Sequence, residues 1–293
     1  MKKWNLVFDA SKCTGCHNCV VATQDEYQGN SFPGYAAQMP PHTRPWVAIE
    51  RKERGQYPVI DVSYLFHACQ HCDEPACVRA ARDGAAFKRP DGIVIIDPVK
   101  ARGQKQIADA CPYGAVVWNE SSQLPQHWNF DAHLIDAGWT QPRAAQACPT
   151  GALVAHHLSD DEMRQVVARD GLRSLHPEFN ARPRIHYRHL ERFDSAFVAG
   201  SLVETVSGVE ECAGDVPVQL WCKGRQIAQS ASDTFGDFLF DGLQTTSRYT
   251  LELGREGNVT RKLEFILGDS RHLGTIRLDD AHEPRPAHPA TQP

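Results

Sequence analysis

The chain has 293 residues, a length typical of about two domains. Hydrophobic residues make up 41% and charged residues 23%, which excludes a wholly disordered chain. The formal net charge of -5, without a dense run of lysine or arginine, predicts that the protein does not bind nucleic acid. No stretch approaches the ~20 apolar residues of a membrane-spanning helix, and the polar start does not resemble a signal peptide. We therefore expect a cytoplasmic protein without a membrane segment.

Cysteine spacing is the strongest motif in the first half of the chain. Ten cysteines are present, and eight of them form two triplets and two single Cys-Pro units: Cys13, Cys16 and Cys19; Cys69, Cys72 and Cys77; Cys111; and Cys148. A cubane iron-sulfur cluster needs four soft thiolates, three of which one loop can supply while the fourth comes from elsewhere. Structural zinc, the alternative, favours separated cysteine or histidine pairs. The pattern therefore favours iron-sulfur clusters.

Internal repeats indicate further loops that have lost their cysteines. The segment 81–85 (ARDGA) keeps the Gly-Ala of 111–115 (CPYGA) and of 148–152 (CPTGA), but has alanine in place of the cysteine. In the same way, 97–104 repeats the aspartate, lysine and glycine of 9–16 without the cysteines. One abandoned cluster site is therefore predicted at Ala81, Ala101, Gln104 and Ile107, and Thr23 marks a second.

The missing cysteines can be grouped into sets of four, because a cluster that is lost leaves all four of its ligands without a function. This grouping leaves two complete sets of ligands. Cluster one is predicted to bind Cys13, Cys16, Cys19 and Cys148. Cluster two is predicted to bind Cys69, Cys72, Cys77 and Cys111. Since the second set lies within the span of the first, one ferredoxin-like module, at about 60–120, is expected to be inserted into another.

Several segments carry a resemblance to a known family: Trp46–Pro58 (WVAIERKERGQYP), Cys111–Glu120 (CPYGAVVWNE), Ala132–Leu134 before Gly138-Trp139, Arg182–Arg184, and the C-terminal domain. They resemble the iron-sulfur subunits of the dimethyl sulfoxide reductase superfamily of molybdopterin enzymes, and within it those of the pyrogallol-phloroglucinol transhydroxylase and resorcinol hydroxylase type. The resemblance implies 4Fe-4S clusters on this chain. It also implies a large partner subunit that holds molybdenum on two molybdopterin guanine dinucleotides and acts on a polyhydroxylated aromatic.

The chain also departs from this family. The resemblance implies cysteines at four positions that here hold Thr23, Trp128, Asp131 and Ala144. Carboxylate is a harder donor than thiolate, and most of the soft ligands are missing, so we expect a closed site without a cluster. Asp131 as an unusual ligand is the alternative, and Trp128 is a candidate to fill the pocket.

The sequence shows no Ser-His-Asp constellation and no glycine-rich phosphate loop, so we expect no catalytic residue on this chain. The expected function is electron storage or relay within a heterodimer or larger complex. A transhydroxylase needs no net electron export, whereas a hydroxylase must export two electrons. The alternatives are a relay for a different molybdopterin enzyme, such as a reductive dehydroxylase, and a stand-alone ferredoxin-like carrier.

From Ser159 onward, the sequence predicts one helix followed by a series of strands. Ser159 to Glu162 (SDDE) is a capping box, which predicts a helix to about Asp170 that Gly171 ends. Alternating apolar residues then predict strands at Val216–Trp221, Phe238–Phe240, Tyr249–Leu253 and Lys262–Leu267. The segment 234–243 resembles carboxypeptidase-regulatory and transthyretin-like sandwiches, which have an immunoglobulin-like topology.

The predicted fold class is α+β, with nested bacterial-ferredoxin-like modules followed by an all-β immunoglobulin- or transthyretin-like sandwich. The expected boundaries are 1–158 for the ferredoxin-like domain, 159–195 for a helix and linker, 196–280 for the sandwich, and 281–293 for a proline-rich mobile tail.

Three other features allow more than one interpretation. Cys212 and Cys222 are expected to be reduced thiols rather than a disulfide or a metal site. His17 and His71 lie inside the cysteine triplets and are expected to tune the cluster environment or to face solvent. The charged run 50–54 (ERKER) is either a contact for the large subunit or a solvated face.

Overall fold

The computed structural model describes residues 1–255 and 258–279. The expected mobile tail at 281–293 lies outside these residues. Within the described part of the chain, no helix has the length and apolar character needed to span a lipid bilayer.

The chain forms two compact units. The first contains Met1–Lys52 and Ser63–Phe193, and the second contains Glu53–Val62 and the described residues from Asp194 onward. The segment 53–62 therefore belongs to the second unit although its sequence neighbours belong to the first, an arrangement that the sequence did not predict.

Residues 1–194 form short strands and helices joined by long loops. In chain order these elements are β1 (Lys2–Asp9), α1 (Asn18–Tyr27), β2 (Ala48–Gln56), β3 (Val59–His67), α2 (Ala76–Ala80), β4 (Ala86–Lys88), β5 (Val94–Ile96), α3 (Gln106–Asp109), β6 (Val117–Asn119), β7 (Leu124–Gln126), α4 (Ala132–Asp136), α5 (Arg143–Gln146), β8 (Leu153–Ser159), α6 (Asp160–Asp170), a 3-10 helix (Pro177–Phe179), β9 (Ile185–Arg188) and α7 (Glu191–Asp194). Strand β1 lies between β8, which is antiparallel to it, and β9, which is parallel. Strand pairs β2–β3, β4–β5 and β6–β7 form separate two-stranded sheets.

Strand β1 is buried on both faces, because successive side chains of a strand point in opposite directions. Leu6 and Phe8 pack into the main core of the first unit. Val7 points the other way and packs against Met163 of α6 and Leu172. This double burial holds the cysteine loop that follows β1 against the core.

Helix α6 confirms the capping-box prediction. The Ser159 hydroxyl accepts a hydrogen bond from the Glu162 backbone N–H at 3.3 Å, and the Glu162 carboxylate accepts one from the Ser159 N–H at 2.8 Å. Gly171 ends the helix in the left-handed conformation, with φ of 59°.

Replacing Ser159 with alanine is expected to destabilise the start of α6 by about 1 kcal/mol, because the alanine leaves the N-terminal N–H of Glu162 without an acceptor. Amide hydrogen exchange in the first turn of α6 should then accelerate about fivefold. Asparagine caps helices about as well as serine, so Ser159→Asn is the matched control and should exchange like the parent. Equal exchange in the alanine and asparagine variants would contradict a capping role.

The described residues of the second unit form eight further strands: β10 (Ala196–Val206), β11 (Val209–Cys212), β12 (Pro217–Cys222), β13 (Arg225–Ala231), β14 (Asp237–Leu243), β15 (Ser247–Arg255), β16 (Asn258–Leu267) and β17 (Arg271–Arg277). One four-stranded sheet has the order β11-β10-β14 with β17 also paired to β10, and the other has the order β13-β12-β15-β16. Buried side chains from both sheets form one apolar core.

The four strands predicted in this half are confirmed, since they overlap β12, β14, β15 and β16. Strand β10 was missed because its first five residues are all buried and show no alternation. Strands β11, β13 and β17 are largely exposed and lack a clear apolar pattern. Strands β11 and β13 pair with the strand directly before them, and β17 pairs with the distant β10, so strand pairing rather than a local apolar pattern determines their conformation.

Within the second unit, Arg54 lies at the tip of the β2–β3 hairpin and is 2% exposed. Its guanidinium contacts Asp61 at 2.5 Å and both carboxylate oxygens of Asp241 at 2.8 and 2.9 Å, and it lies 5.4 Å from the ring centre of Phe197. Burial opposes its charge, but the hydrogen bonds to Asp241 and Asp61 raise the pKa of Arg54 above its ordinary value. For Arg54, the interpretation of run 50–54 as a solvated face or partner contact is therefore wrong.

Candidate iron-sulfur centres

The first cysteine triplet lies in the loop between β1 and α1, where Cys19 is already in the first turn of the helix. Cys148 follows α5, far away in sequence. All four predicted ligands of cluster one nevertheless line one pocket, together with Phe8 and other residues: Cys13, Cys16, Cys19 and Cys148. The loop thus supplies three thiols, and a distant Cys-Pro unit supplies the fourth.

Three thiols of this first group are buried or partly buried, whereas Cys16 is exposed. Burial and the neighbouring cysteine charges raise the pKa of Cys19 to about 12, and burial also raises the pKa of Cys13. Burial opposes ionisation of Cys148 as well, but hydrogen bonds from the Leu153 backbone and the Thr150 hydroxyl hold its pKa below the ordinary value. Thr150, which the sequence analysis did not single out, lies 3.7 Å from Cys148 Sγ.

The second group is assembled in the same way from separate elements. Cys69 and Cys72 follow β3, Cys77 lies in α2, and Cys111 follows α3. Burial raises the pKa of Cys72 to about 12 and that of Cys77 to about 11, and the charges of the other cysteines add to both shifts. Cys69 is fully buried, and its pKa is raised well above the ordinary value, with contributions from Cys77, Cys111 and Cys72. All four predicted ligands of cluster two are therefore close neighbours.

Backbone N–H groups are directed at several of these sulfurs. The Ala115 N–H donates to Cys111 Sγ at 3.4 Å. Backbone hydrogen bonds also lower the pKa of Cys13 through Gly15 and that of Cys77 through Val78, against the larger effect of burial. Hydrogen bonds to the sulfurs are one of the means by which a protein sets the reduction potential of an iron-sulfur cluster.

The donor set of each group fits a 4Fe-4S cluster. Four neighbouring thiolates, of which at least one in each group is buried, repel one another and lose hydration, so they need a positive partner, which the iron of a cluster supplies. Four soft sulfur donors also match the preference of iron-sulfur clusters. Among residues 1–255 and 258–279, no three His, Cys, Asp or Glu side chains lie close enough together to hold a single metal ion.

The two histidines in the triplets differ in their surroundings. His17 is exposed. His71 is buried, its Nδ1 accepts a hydrogen bond from the Val94 N–H at 3.1 Å, and burial lowers its pKa well below the ordinary value. His71 is therefore a neutral ring with a fixed orientation inside the second cysteine loop.

The backbone contains four similar loops, although only two carry cysteine triplets. In each loop the third residue of the motif, counted from the first cysteine or its replacement, has a left-handed conformation with φ of 68°, 45°, 78° and 61°: Gly15, His71, Gly103 and Phe130. This conformation is uncommon for residues other than glycine. The four loops therefore share a left-handed third residue, and the last of them has a second left-handed residue at Asp131, with φ of 51°.

The loop at 101–107 repeats the first cysteine loop in further detail. The Asp9 carboxylate accepts a hydrogen bond from the Ser11 N–H at 3.0 Å, and Asp97 accepts one from the Val99 N–H at 2.8 Å. Helices α1 and α3 begin at the same offset from these aspartates. The repeat predicted from sequence is thus also a repeat of hydrogen bonds.

This loop is closed by its side chains. Ala101 and Ile107 are fully buried in an apolar core that also contains Cys77. The Gln104 side chain accepts a hydrogen bond from the Arg82 N–H at 2.9 Å and donates one to Lys100 O at 2.9 Å. Apolar side chains and these hydrogen bonds therefore fill the abandoned cluster site that the sequence predicts at this loop.

The last two cysteines lie in the second unit, where Cys212 is exposed on β11 and Cys222 is half-buried at the end of β12. Both are free thiols in this structure.

The chain is similar to one protein family profile and to subunits of several known enzymes. The profile of the 4Fe-4S dicluster domain family matches residues 60–157. The small subunit of pyrogallol hydroxytransferase from Pelobacter acidigallici is 38% identical over 284 residues, which cover 95% of this chain and the whole of that protein. One subunit of the sulfite dehydrogenase from Allochromatium vinosum is 29% identical over 64% of this chain and 83% of its own length. One subunit of the tetrathionate reductase from Salmonella typhimurium is 30% identical over 67% of this chain and 75% of its own length.

Proposed function

Since the chain belongs to the family of small iron-sulfur electron-transfer subunits of molybdopterin oxidoreductases, we propose that it holds two 4Fe-4S clusters as the electron store of such an enzyme. The proposed ligands are those of the two groups: Cys13, Cys16, Cys19 and Cys148 for cluster one, and Cys69, Cys72, Cys77 and Cys111 for cluster two. The dicluster match over 60–157 supports iron-sulfur binding in this part of the chain.

One observation carries this proposal. Each group combines three thiols from a local loop with one thiol from a distant Cys-Pro unit, and the members of each group influence one another electrostatically. Two groups of four thiols, with raised pKa values in both, supply the number and type of donors that two cubane clusters need.

In this function, the residues of the chain hold the clusters, donate hydrogen bonds to the sulfurs and exclude water. A 4Fe-4S cluster supplies one-electron storage when bound. The cysteines hold it, the N–H groups of residues such as Ala115 and Leu153 donate to the sulfurs, and burial keeps water away from Cys19 and Cys69. The polypeptide itself performs no step on a substrate.

We also propose a nested architecture for the cluster domain, 1–158, with an inserted ferredoxin-like module at about 60–120. The second ligand group lies wholly between Cys19 and Cys148 in the chain, and the four loops of shared geometry support this division. We further propose a helix and linker at 159–195, followed by a sandwich at 196–280 with immunoglobulin- or transthyretin-like topology. The two four-stranded sheets of the second unit support the sandwich.

The proposed partner is a large subunit that holds molybdenum on two molybdopterin guanine dinucleotides and acts on a polyhydroxylated aromatic such as pyrogallol. The full-length similarity to the pyrogallol hydroxytransferase small subunit supports this choice over partners that act on sulfur compounds, because those relatives cover at most 67% of this chain. The active site for the aromatic then lies on the partner.

Anaerobic purification through a tag on this chain tests the partner. We expect a large subunit to copurify with molybdenum and to turn over pyrogallol or resorcinol. Turnover of tetrathionate or sulfite instead would assign the chain to a different molybdopterin enzyme. Purification of the iron-containing chain alone, without molybdenum, would favour a stand-alone carrier. An untagged preparation carried through the same steps is the control for nonspecific retention.

A further inference from the structure

We infer that the loop around Trp128 and Asp131 is a closed cluster site located between the two cysteine groups, and that restoring its four thiolates creates a third 4Fe-4S site. This inference rests on the proposed function, because it concerns the position between the two proposed clusters.

The backbone of this loop shares the left-handed third residue of the cysteine loops and continues with a second left-handed residue at Asp131, with φ of 51°. Trp128 and Asp131 have the same spacing as Cys69 and Cys72, and Phe130 corresponds to His71 in the left-handed conformation. A bulky residue such as Phe130 rarely adopts φ of 61°. Its side chain is 2% exposed, so the surrounding packing holds the loop in this conformation although no cysteine requires it.

Side chains fill the space inside the loop. Trp128 is fully buried, and its Nε1 donates a hydrogen bond to Asp131 Oδ1 at 3.1 Å. The Tyr27 hydroxyl lies 2.8 Å from the same oxygen, and the Arg143 N–H donates to Asp131 Oδ2 at 2.7 Å. Both carboxylate oxygens are therefore engaged with the protein, which argues against Asp131 as a ligand of iron. We call Tyr27, Trp128 and Asp131 the closing network.

The closing network lies beside elements that carry ligands of both cysteine groups. On one side, Tyr27 lies on α1 on the same face as Cys19 and Thr23, and the Thr23 hydroxyl donates to the Cys19 carbonyl at 2.9 Å. On the other side, the Trp128 ring centre lies 5.7 Å from that of His71, the residue before Cys72. A cluster held by this loop would thus have an element of one cysteine group on each side, which is an intermediate position.

Restoring the ligands tests the inference directly in the full chain produced with its partner subunit. The variant combines Thr23→Cys, Trp128→Cys, Asp131→Cys and Ala144→Cys. Ala144 is included because it is fully buried and follows Arg143, whose N–H binds Asp131. We expect about 1.5 times the iron of the parent chain, from about eight to about twelve atoms, and one additional signal in the electron paramagnetic resonance spectrum after reduction.

The matched control carries serine at the same four positions. Serine has nearly the same size as cysteine but gives no soft thiolate, so the iron content of this control should equal that of the parent. A folded four-cysteine variant with no more iron than the parent would overturn the inference. A third signal without magnetic coupling to the other two clusters would overturn the intermediate position.

A milder variant keeps the inference testable if the four-cysteine chain does not fold. Asp131→Asn preserves the shape of the side chain, and we expect the iron content of the parent to remain unchanged. Loss of about four irons from the parent level would show that Asp131 ligates a cluster already present. A parent chain without iron would instead contradict the proposed function, so the two failures are distinguishable.

Discussion

Replacing Cys111 with alanine is expected to remove about half of the iron, about four of eight atoms per chain, and to leave the other cluster intact. Cys111 is the one ligand of its group that comes from outside the loop and helix holding Cys69, Cys72 and Cys77. A cubane with three remaining thiolates has an open corner and is lost. Iron analysis measures the loss of iron. The electron paramagnetic resonance spectrum of the reduced protein shows which cluster is lost, since one of its two cluster signals should disappear.

Two matched variants complete this experiment. Cys148→Ala should remove the other half of the iron, because it supplies the corresponding thiolate of the first group. Cys222→Ala is the control, since Cys222 is a half-buried free thiol on the sandwich and should leave the iron unchanged. Loss of all iron in the Cys111 variant, or any loss in the Cys222 variant, would contradict the assignment of the ligands.

The second large effect concerns stability. Replacing Arg54 with methionine is expected to destabilise the second unit by about 3 kcal/mol, because it leaves Asp61 and Asp241 without their shared cation. The two carboxylates are 27% and 30% exposed, so water offsets part of the loss and we expect the lower end of the usual range. For a unit of this size, the calorimetric transition should fall by roughly 10 to 20 °C.

Arg248 provides the control for this measurement. It is 70% exposed and lies 3.6 Å from Glu264, a surface ion pair that contributes about 0 to 1 kcal/mol. Arg248→Met should therefore shift the transition by only a few degrees. A shift for the Arg54 variant that is no larger than that of the Arg248 variant would show that the buried ion pair does not stabilise the hairpin tip.

Local patterns in the sequence predicted much of this molecule. The Ser159 capping box and Gly171 predicted both ends of α6, because these signals act within one helical turn. Alternating side chains predicted β12 and β15, whose inward residues form the sandwich core. The grouping of Cys111 with one triplet and Cys148 with the other followed from internal repeats, and the neighbours around each thiol agree with it.

Contacts between residues far apart in the chain could not be predicted in this way. Tyr27 and Asp131 are 104 positions apart, and Arg54 and Asp241 are 187 positions apart. The sequence around each of these residues does not indicate its hydrogen-bond partner, because the pair forms only when distant helices, strands or loops pack together. Sequence spacing could have indicated one of these neighbours. Tyr27 lies eight residues after Cys19, which places both side chains on the same face of α1.

Quantifying iron and acid-labile sulfide in the full chain, purified without oxygen, tests the central claim most directly, with Mössbauer spectra to identify the cluster type. The account predicts about eight irons and about eight sulfides per chain, all in 4Fe-4S clusters. About twelve irons would contradict the closed site at Trp128 and Asp131. Zinc in place of iron would contradict the assignment of all eight cysteines.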